Sequence, residues 1–105
     1  MSDLRSFLDE YRDLPQAHLL ETVLLQITGL GDDVHADVEP LAVRVRVGAS
    51  PLCEVSIYGQ LFIVRCGPSL AVEYRVRDED VAWRALDQVL REYMLLRDTR
   101  THAVP

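Results

Sequence analysis

The chain has 105 residues, 49% of them apolar and 27% charged, with a formal net charge of −6 and a pI near 4.9. This is the balance of one globular domain around one core, not of a disordered chain. All eleven basic residues are Arg, and the chain has neither Lys nor Asn, which excludes a Schiff-base lysine, a P-loop lysine and an N-glycosylation sequon, and fits a bacterial coding sequence.

From the N-terminus, Leu4, Phe7, Leu8 and Tyr11 follow helical spacing. Leu19, Leu20, Val23, Leu24 and Ile27 follow it too, but on nearly the opposite side if the helix continues unbroken. Pro15 removes an amide donor and pushes Leu14 out of helical geometry, so the pattern predicts two helices, at about 3–13 and 15–28, with Pro15 in the first turn of the second. Gly29 and Gly31 end that helix, and residues 32–40, carrying Asp32, Asp33, Asp37 and Glu39, read as an acidic loop ending at Pro40.

From Leu41 the period becomes two, as a half-buried strand requires: Leu41, Val43, Val45 and Val47 alternate with Ala42, Arg44 and Arg46. Residues 48–51 have turn chemistry, and strands are expected at 52–58, 61–66 and 70–77. Gly59-Gln60 suits a type II′ hairpin loop. That loop pairs Tyr58 with Leu61, Ile57 with Phe62, Val55 with Val64, Glu54 with Arg65 and Cys53 with Cys66, partners matched in character throughout. The core face then collects Val43, Val45, Val55, Ile57, Phe62, Val64, Leu70, Val72 and Tyr74. A one-residue slip would exchange the two faces.

Asp78 or Asp80 can cap a last helix running to about Asp98. Its apolar arc holds Val81, Ala82, Ala85, Leu86, Val89, Leu90, Tyr93 and Leu96, with Trp83 and Met94 at one margin. The expected fold class is α+β: two N-terminal helices, a four-stranded antiparallel meander and one C-terminal helix, with the helices mainly on one sheet face. It forms a single domain over 1–98, followed by a flexible tail at 99–105. The helix, meander, helix order and acidic pI resemble small secretion chaperones in class, although the helix those folds insert within the sheet is not visible here, and no family motif is present.

No apolar run approaches the roughly 20 residues that span a bilayer. Ser2, Asp3 and Arg5 do not open a secretory leader, so a cytoplasmic protein with no membrane role is expected. Cys53 and Cys66 lack C-x-x-C spacing and are expected as free core thiols. The acidic loop with His35 lacks the ordered ligand spacing of a calcium or zinc motif, and no metal or cofactor is expected. No serine or cysteine sits in a nucleophile motif, which argues for a non-catalytic protein.

Two surfaces remain as partner-binding candidates. On the outward sheet face Arg44, Arg46, Arg65, Arg75 and Arg77 surround Tyr58, Leu61 and Ile63, a mixture typical of protein interfaces, unless Glu54 and Glu73 neutralise the arginines. On the last helix Trp83, Leu90 and Met94 lie beyond what one sheet needs to cover, unless the second helix buries them. The chain therefore reads as a small protein-interaction module, an inhibitor, immunity-type factor, adaptor or chaperone. The alternatives are a small enzyme or ligand binder with a pocket between sheet and helices, completed across a dimer, and a self-associating homodimer. Nucleic acid is not an expected partner, since Tyr58 is the one outward aromatic on an acidic chain.

Overall fold

The computed structural model describes residues 3–102, and it is α+β with one antiparallel sheet carrying helices on one face. Helix α1 spans Leu4–Glu10 and starts where the Asp3 carboxylate accepts the Ser6 amide at 2.8 Å. It is shorter than expected. Residues 11–16 form successive turns, with Ala17 N–H donating to the Leu14 carbonyl at 3.0 Å. Helix α2, Ala17–Thr28, thus begins after Pro15 rather than with it. Its buried residues are the expected five, Leu19, Leu20, Val23, Leu24 and Ile27.

The sheet has five strands, not four: β1 (Val34–Val38), β2 (Ala42–Val47), β3 (Ser50–Tyr58), β4 (Leu61–Cys66) and β5 (Val72–Val76), in that spatial order. Strand β1 lies in the segment read as an acidic loop. Val34, Ala36 and Val38 pair with Val47, Val45 and Val43, while His35 and Asp37 face Arg46 and Arg44. Two of the four carboxylates that suggested a solvated loop, Asp37 and Glu39, are one side of a cross-strand charge pattern whose other side, Arg46 and Arg44, lies on the next strand.

Strand β3 begins at Ser50, inside the expected turn, so only Gly48 and Ala49 separate it from β2. Its first residues are accommodated by a bulge: Val45 pairs with Cys53 but Arg46 with Pro51, leaving Leu52 as the extra residue, fully buried. A proline is tolerated where the ladder is interrupted. The β3–β4 register is the expected one at every pair, and Gly59 at φ 62°, followed by Gln60 with φ below zero, gives the type II′ loop.

Leu70, expected on the core face of the last strand, instead ends a single 3-10 turn, Pro68–Leu70, in which Ser69 and Leu70 have φ 58° and 54°. Val72 and Tyr74 keep their expected side, opposite Cys66 and Val64, but Val72 is exposed on the edge strand, and Val76 is the fully buried residue of β5. Helix α3 runs Glu79–His102, capped by the Asp78 carboxylate accepting Val81 N–H at 3.0 Å. Residues 99–102, expected as tail, continue this helix, and residues 103–105 of that expectation lie outside the described residues. The core fills the space between α2, α3 and the sheet with Leu20, Val23, Leu24, Ile27, Val43, Val45, Val55, Phe62, Val64, Ala85, Val89 and their neighbours. No polar or charged residue is buried among the described residues.

Candidate interaction surface

The outward sheet face is built by strand alternation, which sends Arg44, Arg46, Glu54, Arg65, Glu73 and Arg75 away from the core. The structure brings every one of these arginines onto a carboxylate. Arg46 Nε lies 3.1 Å from Asp37; Arg44 Nε lies 3.2 Å from Glu54 and 3.5 Å from Glu39; Arg65 bridges Glu54 at 3.3 Å and Glu73 at 3.2 Å; Arg75 meets Glu73 at 3.1 Å. The result is a ladder of alternating charge across five strands. Hydrogen bonds from Arg75 and Arg65 hold the Glu73 carboxyl below the usual carboxylate range. Exposed pairs of this kind contribute at most about 1 kcal/mol each, so their main effect is to cancel the field of the arginines.

Ile63 is only 4% exposed although it lies on this outward face, between Ser56 and Arg75 on the flanking strands. The aliphatic stems of neighbouring arginines suit such a cover. Tyr58, 68% exposed, sits at the turn end of the β3–β4 hairpin, beside the Gly59-Gln60 loop. The expected anchors of the sheet face are therefore one buried and one peripheral.

The helical layer is different. Trp83, Leu90 and Met94 are 48%, 42% and 56% exposed. At roughly 100° per residue they fall within about 40° of one another, forming one stripe that α2 does not cover. Instead α2 and the turn at its end form the opposite wall of a groove of about 270 Å³, in which Gln26, Ile27 and Leu30 face Trp83, Leu86, Asp87 and Leu90. Trp83 Nε1–H donates to the Glu79 carboxylate at 3.0 Å, which fixes the indole at the groove mouth. Gln26 and Leu30 were not foreseen, because their placement depends on how α2 leans against α3. Leu25, on the other shoulder of α2, is exposed beside Leu4 and Leu8 in a second shallow groove.

The remaining candidates fit structural roles. Cys53 and Cys66 face each other in register and are buried. Burial, then mutual proximity, pushes the Cys53 thiol up to about 12, and burial with Glu92 nearby raises Cys66 to about 11. Both remain protonated near neutrality, where a thiol is a poor nucleophile. Among the described residues no group of three or more His, Cys, Asp or Glu is placed to hold a metal. The Tyr93 hydroxyl donates to Asp33, and His18 is exposed on α2. Among the described residues, no helix is long and apolar enough to cross a membrane. No family model, curated protein or solved structure matches the chain.

Proposed function

We propose that the protein is a non-catalytic interaction module of the cytoplasm, which binds another protein through the stripe formed by Trp83, Leu90 and Met94 and the adjoining α2/α3 groove. One observation carries this reading. Three large apolar side chains are about half exposed on a single face of α3, beside a groove with apolar walls, and a small monomer gains nothing in water from such a face. The sheet face is the secondary surface in this reading. Arg44, Arg46, Arg65 and Arg75 already hold carboxylates, so a partner would have to displace Asp37, Glu54 or Glu73 to use them. An inhibitor, an immunity-type factor, an adaptor and a chaperone all work this way, by presenting a preformed surface. The apolar filling of the space between sheet and helices supports binding over catalysis.

The experiment is site-specific photocrosslinking in the producing cell, with a photoreactive residue at Leu90, at Met94 or, as the comparison, at Arg75. Adducts of defined mass from positions 90 and 94, reduced at least tenfold by Trp83→Ala at unchanged melting temperature, are expected. Adducts from position 75 alone would overturn the assignment.

A further inference from the structure

We infer that the α2/α3 face receives a basic amphipathic helix of a partner protein. The inference rests on the reading of that face as the binding surface and adds the chemistry of its occupant. The charge is unevenly divided between sheet and helices. Residues 34–77 hold four carboxylates and five arginines, nearly balanced, whereas residues 3–33 and 78–98, the helices and their connections, hold thirteen carboxylates against five arginines. Of these carboxylates, Asp87 lines the groove and Glu79 and Asp80 lie in the turn before Trp83, while α3 also carries Arg84, Arg91 and Arg97.

The local arrangement agrees. Glu79 and Asp80 stand in the first turn of α3 beside Trp83. Asp33 accepts the hydroxyl of Tyr93, and Leu30, three residues earlier, lines the groove, so the acidic Asp32-Asp33 segment follows directly on a groove residue. Arg91 is held by Asp87 at 2.9 Å and Arg97 lies over the Tyr93 ring, so these two cations are engaged within α3. An apolar stripe with carboxylates beside it matches a helix with apolar anchors on one face and Lys or Arg flanking them. The distance from Trp83 to Met94 along α3, about 16 Å at 1.5 Å per residue, offers room for three turns of such a helix. A second copy of this chain would bring a face of the same negative sign to the groove, and like-charge repulsion opposes that pairing.

The test uses the full chain and two synthetic helical peptides of equal length and identical leucine faces, one carrying Lys and the other Glu on the polar face. Trp83 is the one tryptophan of the chain, so its emission reports occupancy of the groove directly. The Lys peptide is expected to shift Trp83 emission at least tenfold more tightly than the Glu peptide, to weaken as salt rises, and to lose at least tenfold in affinity on Leu90→Ala/Met94→Ala. Both positions are exposed, and the melting temperature of the double variant is the folding control. Asp32→Asn/Asp80→Asn is expected to weaken the Lys peptide several-fold and not to weaken the Glu peptide. Equal binding of the two peptides, or indifference to Leu90→Ala/Met94→Ala, would overturn the inference. So would a wild-type dimer in sedimentation that the same double substitution dissolves, because the occupant would then be a second copy. In each of these cases crosslinks from position 90 to another protein would leave the interaction reading standing; loss of both signals would remove both.

Discussion

The Tyr93 hydroxyl donates to the Asp33 carboxylate at 3.0 Å, tying the middle of α3 to the loop that leads from α2 into β1, 60 residues earlier in the chain. Burial, then the neighbouring Asp33, holds this phenol above its ordinary pKa. Gly31 makes the contact feasible, since a Cβ there would overlap the Tyr93 hydroxyl and lie 2.8 Å from the Asp33 carboxylate. Tyr93→Phe is expected to cost about 1 kcal/mol. Gly31→Ala should cost more in the wild type than in a Tyr93→Phe background, where the closest atom is gone. Urea melts of the two single variants and the double variant measure the difference, and strict additivity would contradict the contact as described.

The charge ladder predicts an acid response. Glu73 has its folded pKa lowered by Arg75 and Arg65. The stability it contributes is therefore present above the unfolded carboxylate pKa and is lost as pH falls through the lower folded value. Thermal melts from pH 6 down to pH 3 should show a slope that Glu73→Gln flattens. An unchanged slope would remove Glu73 from the acid response.

Glu54 is the pivot of the same ladder, with its side chain only 14% exposed and accepting from both Arg44 and Arg65. Glu54→Gln removes the shared counter-charge, leaving the sheet face net positive. A loss of about 1 kcal/mol is expected, with earlier elution from an anion exchanger than wild type. Unchanged retention would show that the arginines are neutralised by other groups.

The thiols predict the opposite end of the pH scale. Cys53 and Cys66 have folded pKa values near 12 and 11, above those of unfolded thiols. Their contribution is complete below the unfolded thiol value of about 8.5 and disappears as pH rises toward the folded values. Alkylation with a small reagent at pH 8 should label neither cysteine in the folded protein and both in denaturant. Labelling of the folded protein at either position would place that thiol nearer the surface than the core.

Two consecutive non-glycine residues in the left-handed region, Ser69 and Leu70, store conformational energy in the β4–β5 connection. Ser69→Gly should relieve the cost at its position and raise stability by up to about 1 kcal/mol. A lower melting temperature would mean that the serine side chain contributes more than its backbone costs.

How much of this was legible in the sequence depends on where the deciding partner lies. The β3–β4 register was readable because both faces of the hairpin carry their own consistent pattern, from Val55 and Val64 on one side to Glu54 and Arg65 on the other. Strand β1 was not, because Val34, Ala36 and Val38 are few and small, and the groups that make Asp37 at home in a sheet are on β2. Leu70 looked like the first apolar residue of a strand, yet Gly67 and Pro68 carry the turn through it. Trp83 and Met94 stood out as an angular excess on α3, whereas the facing wall, Gln26 and Leu30, comes from the packing angle of another helix and leaves no local signature.

Each strand of the sheet pairs only with its immediate neighbours in the chain. Assembly can therefore proceed hairpin by hairpin, with little loop-closure entropy lost before each new ladder forms, which is the condition for fast folding of a β-rich domain. The step that remains nonlocal is the docking of the two ends, when α3 meets α2, and it is this late closure that creates the groove.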